Sequence, residues 1–340
     1  MADMYKVTLI PGDGIGPEIV SATRSVIDAT GVPIKWEIAQ AGQSAVPKYG
    51  EPIPQETIES IRKNRIALKG PLTNIVGSGF PSPNITLRQK LDLFANIRHA
   101  KSFPGSGSKW DNIDLIVVRE SIEDIYSGLE QMIGDDIAIG TKFITRKGSE
   151  RVIRKAFEYA KEFGRKKVTV SVKANVLKLT DGMFLRVGRE IAKEYPEIEF
   201  DETIIDALAM HLVREPERFD VIVTQNLYGD IVSDLAAGLA GSLGIGSGSN
   251  YGEDGIAVFE PVHGSAPKYA DKNKVNPCAE ILSGALMLSY LGEKAQSKRV
   301  EKAVSEVIAE GKTVTYDLGG DAGTKEMAEA IIQKILKEEV

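Results

Sequence analysis

The segment Ser82–Arg98, SPNITLRQKLDLFANIR, sets two guanidinium groups and two short hydrogen-bonding side chains around an apolar body. Guanidinium forks bind carboxylates through paired hydrogen bonds, and Ser82 and Asn84 supply short donors beside Arg88 and Arg98. The pattern suits a pocket for a small, multiply charged anion; an amphipathic helix with solvated charges would use the same residues. Asp230 and Asp234 stand four apart in a helical stretch, so both carboxylates share one face. With Asp206, expected at the end of a strand, they form an all-oxygen donor set for Mg2+ or Mn2+. The alternative makes Asp230 a charge at a helix N-terminus and Asp234 a solvated one. Arg119 leaves a strand end, where α/β ligand sites gather, and Tyr126 follows seven residues later as a candidate proton donor. Lys173, at another strand end and followed by Asn175, is a candidate amine of lowered pKa. The loop His263-Gly264-Ser265-Ala266-Pro267-Lys268-Tyr269 lets backbone N–H groups approach a phosphate or an adenine edge, with Lys268 and Tyr269 available to an extra phosphate. A surface cation, a packed tyrosine or a plain turn is the bland alternative for each.

These residues are spread along 340 residues, enough for two domains or one large α/β unit. The net charge of -6 gives no bulk attraction to nucleic acid or to an anionic membrane, so any anion site must be a local basic cluster. The single cysteine, Cys278, excludes an internal disulfide and any multi-thiolate metal site, and the three histidines lack zinc-ligand spacing. With no signal peptide and no apolar run of spanning length, a reducing, cytoplasmic setting is expected.

Strand and helix patterns alternate through the chain, which predicts an α/β sheet with helices on both faces. The first strand, Tyr5–Ile10, runs into Gly12-Asp13-Gly14-Ile15-Gly16, a G-x-G-x-G spacing unlike the dinucleotide fingerprint, so a conventional Rossmann phosphate loop is not expected. Ser149 is expected to cap one helix, and another is expected to start after Gly229. Residues 128–144 read as a protruding hairpin arm for subunit contact. The glycine-rich run from Gly241 to Gly252 reads as an inter-domain hinge.

Taken together, IPGDGIGPE, RESIEDIYSG, KANVLKLTDG, NLYGDIVSDLAAG, HGSAPKYA and VNP resemble the β-decarboxylating dehydrogenases, the family of isocitrate, isopropylmalate and homoisocitrate dehydrogenases. The resemblance implies a two-domain α/β fold with a non-Rossmann cofactor site. It divides the chain into a large cofactor-binding domain (1–98 and 252–340) and a small domain (99–251) that carries a dimerisation arm at about 127–145. It also implies a homodimer with shared active sites, acting on a small tricarboxylate and binding neither nucleic acid nor membrane. By motif position, Arg88, Arg98 and Arg119 would hold substrate carboxylates, with Asn175 beside them. Asp230 and Asp234, with Asp206 from the partner, would hold Mg2+ or Mn2+. Tyr126 and the partner's Lys173 would form the acid–base pair, Asp206 counting with them as catalytic. His263, Gly264 and Asn276 would lie along the cofactor's adenosine, and Thr73, Glu260, Ser265 and Ala266 belong to the same expected site. Ser82 and Asn84 point to isocitrate, because unpaired polar groups disfavour the isopropyl group of isopropylmalate. Homoisocitrate, one methylene longer, is the closest competitor. Lys268, Tyr269 and Tyr316 point to NADP over NAD, although Gly320 stands where the NADP type often carries arginine. A regulatory subunit without catalysis is the remote alternative; it would lose a metal aspartate, the tyrosine or the lysine, and this chain keeps all of them.

Overall fold

The computed structural model describes residues 4–74 and 80–337. In chain order the regular elements are β1 (Tyr5–Ile10), α1 (Gly16–Asp28), β2 (Ile34–Ile38), α2 (Val46–Tyr49), α3 (Gln55–Asn64), β3 (Ile66–Lys69), α4 (Pro83–Lys90), β4 (Ala95–Lys101) and β5 (Asp114–Glu120). A two-stranded hairpin, β6 (Glu130–Ile133) and β7 (Ile137–Gly140), follows. After it come α5 (Arg146–Glu162), β8 (Lys167–Val172), α6 (Thr180–Ala192), β9 (Glu199–Ile204), α7 (Ile205–Arg214), β10 (Val221–Thr224) and α8 (Asn226–Leu239). The chain closes with β11 (Ser247–Tyr251), β12 (Ala257–Pro261), α9 (Cys278–Tyr290), α10 (Lys294–Glu310) and α11 (Thr324–Lys337).

Ten strands form one sheet in the order β2-β1-β3-β12-β11-β4-β5-β10-β8-β9. The flanking blocks β2-β1-β3-β12 and β5-β10-β8-β9 are parallel within themselves, while β11 and β4 run antiparallel to their neighbours between them. Both faces are covered. Ile116 and Val118 of β5 join one apolar cluster with α5, whereas Leu115 and Val117 join another with α7 and α8. A strand buried on both faces reads as a continuous aliphatic run, as LIVV in β5 does. Helix α9 is apolar nearly all round and buried from Cys278 to Leu288, which suits a central helix laid on β11 and β12.

Register places the polar groups. Asn96 of β4 lies opposite Asn250 of β11 on one side and Arg119 of β5 on the other. Arg98 lies opposite Gly248, which in turn lies opposite Glu260. The two-residue period puts Asn96 and Arg98 on one face and His99 on the other.

Four local expectations differ from the structure. The cap of α5 is Thr145, whose hydroxyl accepts from the Gly148 N–H at 2.9 Å, and Ser149 lies inside the helix. Strand β9 stops at Ile204, so Asp206 sits in the first turn of α7 rather than at a strand end. Helix α8 starts at Asn226, before Gly229, and Asp230 therefore lies one turn in. A Cβ on Gly229 would stand 2.6 Å from Arg119 Cγ, so this glycine serves a close helix–strand contact and not a helix start. Five residues of the glycine-rich stretch form β11, buried throughout.

Candidate active site

Lys69 at the end of β3, Asn84 and Arg88 of α4, Asn96 and Arg98 of β4 and Glu260 of β12 line a polar cleft of about 100 Å³. The strand ends deliver Lys69 and Glu260 side by side, since β3 and β12 are parallel neighbours. Lys69 Nζ is 2.7 Å from Glu260 Oε2 and donates to Asn84 Oδ1 at 3.2 Å. Arg88 Nη2 reaches Glu260 Oε1 at 3.3 Å. Burial works to raise the Glu260 carboxyl, but Lys69 and Arg88 outweigh it and hold it far below the usual carboxylate range. Ser82, at the N-cap of α4, is directed to Asn74 Oδ1 at 2.8 Å.

Arg98 connects this cleft to β5 and α8. Arg98 Nη1 donates to Ser233 Oγ at 2.7 Å and Asp234 Oδ1 at 2.8 Å, and its Nη2 lies 3.4 Å from Asp230 Oδ1. Arg119, only 1% exposed, donates to Asn226 through Nε and Nη2 and forms a short contact from Nη1 to Asp230. Burial, then Arg88 and Arg98, push Arg119 down to about 10, and the same burial lowers Arg98. Both remain cations at neutral pH. Tyr126 donates to Asp230 Oδ2 at 2.5 Å, and the Arg119 guanidinium packs over its ring at 4.9 Å from the centroid. Burial would raise Asp230, but Arg119, the Tyr126 hydroxyl, Arg98 and Arg88 together bring it below its ordinary value. Burial and the bond to Asp230 raise Tyr126, so its phenol stays protonated across the neutral range.

Lys173, just past β8, and Asp206, in the first turn of α7, form a short ion pair, and that bond lowers the Asp206 carboxyl. The Lys173 backbone N–H donates to the buried Asp181 carboxylate at 2.7 Å. Lys142, following the hairpin, reaches the same carboxylate at 2.8 Å. Asn175 lies in the exposed turn beyond Lys173. Among the described residues, no three His, Cys, Asp or Glu side chains of one chain meet closely enough to hold a metal ion. One copy therefore does not bring Asp206 together with Asp230 and Asp234.

A second cleft of about 280 Å³ shares His263 and Gly264 with the first and extends past Ala266, Tyr269, Asn276 and Tyr316. Its floor is stitched to the first strand–helix turn. Ile15 N–H donates to the Ser265 carbonyl at 2.9 Å, and the Ser265 and Thr73 hydroxyls are 2.7 Å apart. The Asp13 carboxylate accepts from the backbone N–H groups of Gln43, Ser44 and Thr73, so the turn after β1 ties loops together. Tyr269 and Tyr316 stack at 6.0 Å, with Lys268 over the first ring at 5.0 Å and Lys274 over the second at 5.2 Å. Asn276 donates to Asp317 Oδ2 at 3.0 Å. His263 is lowered by burial and so stays neutral.

Residues 6–331 match the isocitrate/isopropylmalate dehydrogenase family model. The chain belongs to this family. Its fold is that of the isocitrate dehydrogenase from Methylococcus capsulatus, with a TM-score of 0.94 and 54% identity over 98% of this chain and 99% of that one. Catalytic subunit 5 of the mitochondrial NAD isocitrate dehydrogenase of Arabidopsis thaliana is 47% identical over 95% of this chain and 87% of its own length. The NADP isocitrate dehydrogenase of Thermus thermophilus is 47% identical over 97% of this chain and 68% of its own length. Family relatives at equal identity thus carry both nucleotide types.

The candidate residues fall into three groups in one chain. Asn84, Arg88, Arg98, Arg119, Tyr126, Asp230, Asp234 and Glu260 are joined by contacts around the first cleft, His263 and Gly264 bridge to the second, and Lys173 pairs with Asp206 apart from both. Lys69, Asn96, Asn250 and Lys274 escaped the sequence reading. For Lys69 a signal existed: a cation closing a buried strand, the criterion that singled out Arg119.

Proposed function

We propose that the chain catalyses the metal-dependent oxidative decarboxylation of isocitrate to 2-oxoglutarate with reduction of NADP or NAD. The observation that carries this reading is a polar cleft lined by Arg88 and Arg98, from which Arg98 leads to Asp230 and Asp234, with Arg119 and Tyr126 both bonded to Asp230. Three guanidinium groups suit a substrate with several carboxylates. Asn84, bonded to Lys69, would read the third carboxylate together with Ser82, and both would be left unpaired by an isopropyl group.

Asp230 and Asp234 present carboxylate oxygens from one helix face without sulfur or imidazole beside them, which fits Mg2+ or Mn2+. Asp206 of a second copy would complete the set. The ion, when bound, eases loss of the substrate hydroxyl proton and stabilises the enolate left after CO2 departs. Lys173 of the second copy would take the proton from the substrate hydroxyl oxygen, and the nicotinamide, when bound, would accept the hydride from the carbon that bears that hydroxyl. Tyr126, kept protonated by burial and Asp230, then delivers a proton to the enolate carbon.

The division of labour needs a homodimer. The hairpin exposes Leu129, Met132, Ile133, Ile137 and Ile139, and the Lys173 region exposes Val176, Leu177 and Leu179, apolar surface suited to a second copy. On this reading residues 1–98 with 252–340 form the nucleotide-binding domain and 99–251 the domain that carries the arm and the carboxylates. Two lysines over two stacked tyrosines favour a 2'-phosphate, so NADP is the proposed preference. A single buried cysteine accords with a reducing compartment, and the cytoplasm is the proposed location. No helix among the described residues is long and apolar enough to cross a membrane.

The test is nucleotide reduction followed at 340 nm on adding isocitrate and Mg2+. Activity abolished by EDTA and restored by Mn2+ supports the reading; no isocitrate-dependent reduction of either nucleotide overturns it.

A further inference from the structure

The proposed chemistry gives Lys142 no task, yet this lysine sits where the arm, α8 and the Lys173 turn meet. It follows closely on the end of β7, at the root of the arm. Its Nζ lies 2.8 Å from Asp181 Oδ1, donates to Gln225 Oε1 at 2.7 Å, and rests over the Tyr228 ring at 4.5 Å from the centroid. Gln225 immediately precedes α8, the helix of Asp230 and Asp234. Asp181 is completely buried in the first turn of α6. Its other oxygen, Oδ2, accepts the Lys173 backbone N–H at 2.7 Å.

The Asp181 carboxylate is therefore a clip with two sides. One oxygen holds the backbone of the Lys173 turn, which the Lys173 carbonyl closes by accepting from the Val176 N–H at 3.0 Å and the Leu177 N–H at 2.9 Å. The other oxygen is held by Lys142. An exposed acidic residue in the first turn of a helix gains from the helix dipole without any cation beside it. A fully buried carboxylate needs a charged partner, and breaking such a pair leaves a charge stranded in the interior. Here the partner comes from the root of the arm and not from α6. A buried ion pair adds little net stability over an apolar pair of the same volume. What this one fixes is geometry: the turn that carries Lys173 is locked against the arm and the start of α8.

We infer that Lys142 is a positioning residue that acts through Asp181 on Lys173, and so on the active site of the other copy. The inference rests on the reading of the protein as a homodimer in which Lys173 crosses to the site of its partner. Tyr126 and Asp230 serve the site of their own chain, whereas Lys173 of that chain serves the other. Loss of Lys142 from one copy would then impair the site built on the other copy's Tyr126 and spare the site built on its own. A role confined to the fold of one chain predicts no such crossing.

The test uses full-length dimers with isocitrate, Mn2+ and NADP. In the homodimer, Lys142→Met is expected to lower kcat about 100-fold, the cost of a small misplacement, with KM for isocitrate changed by less than about threefold. Lys142→Met combined with Asp181→Asn removes both charges and carries the comparison where the single variant fails to fold; the same loss is expected, because both changes break one pair. Mixed dimers, each chain bearing a different affinity tag, then locate the defect. Paired with a Tyr126→Phe chain, the Lys142→Met chain is expected to regain about half of the wild-type turnover, because its own Tyr126 meets an intact Lys173. Paired with a Lys173→Met chain, it is expected to stay low. The reverse pattern would place the action of Lys142 on the Tyr126 loop of its own chain, and no recovery in either pairing would make it a general structural residue. Either result overturns the inference, as does a wild-type kcat in the Lys142→Met homodimer. Tyr126→Phe and Lys173→Met chains paired with each other should also reach about half of the wild-type turnover. Failure of that control, or a wild-type protein inactive on isocitrate, overturns the shared-site reading and the inference with it.

Discussion

The Tyr126 hydroxyl and the Asp230 carboxylate are joined at 2.5 Å, while Arg119 holds the other oxygen of that carboxylate and covers the tyrosine ring. One aspartate thereby links the proposed proton donor, the guanidinium of Arg119 proposed to hold a substrate carboxylate, and the proposed metal site. The arrangement keeps the phenol protonated and holds its hydroxyl against Asp230 without a histidine. Neutral acids so placed contribute about 10²–10⁴ in rate.

Tyr126→Phe removes the proton and keeps the ring beneath Arg119. A fall in kcat of about 10²–10⁴ is expected, with KM for isocitrate changed by less than about threefold. Steady-state kinetics measure both; a kcat close to the wild-type value would remove Tyr126 from the chemistry.

Asn84→Leu, alone or with Ser82→Leu, presents an alkyl surface where a third carboxylate is expected. Isocitrate kcat/KM should fall about 100-fold or more, while that for isopropylmalate should hold or rise. Equal losses on both substrates would mean that neither residue selects.

Lys268→Asp places a carboxylate near the proposed 2'-phosphate position, beside Tyr269. The ratio of kcat/KM for NADP to that for NAD should fall at least about tenfold, since like charges across a contact are strongly disfavoured. An unchanged ratio would show that the lysine does not read the phosphate.

His99 lies on the other face of β4 from Arg98, with Nε2 at 2.7 Å from the Tyr159 hydroxyl, and burial pushes it down from 6.5 to about 4. Between these values the unfolded chain binds a proton that the folded one refuses, so stability falls as pH drops through that window. The contribution amounts to about 3 kcal/mol by pH 4. Urea unfolding at pH 7 and pH 4.5 should show this loss, and His99→Asn, which cannot titrate, should show a shallower one. Identical slopes would place the acid sensitivity elsewhere.

The order of strands and helices is legible in the sequence because buried parallel strands carry unbroken aliphatic runs such as LIVV and the helices carry an apolar stripe. Boundaries failed where a residue serves a tertiary contact. Gly229 reads as a break, yet it sits inside α8 to admit Arg119. Ser149 reads as a cap, yet Thr145 provides it. The glycine-rich stretch reads as a hinge because β11 within it, SGSNY, is mostly small and polar and carries no aliphatic run, although it is central to the sheet. Motif resemblance named Arg98, Arg119, Asp230, Asp234 and Tyr126, which contacts join in the structure. It missed Lys69, Asn96 and Asn250, whose importance arises from register: they meet Glu260 and the arginines only once β3, β4, β11 and β12 lie side by side.

The most direct measurement is kcat/KM for isocitrate, homoisocitrate and isopropylmalate, each with NADP and with NAD, in the presence of saturating Mn2+. The structure of the cleft predicts the highest value for isocitrate with either nucleotide. A higher value for isopropylmalate or homoisocitrate would contradict the assignment of the guanidinium cluster, Ser82 and Asn84 to a tricarboxylate of that length.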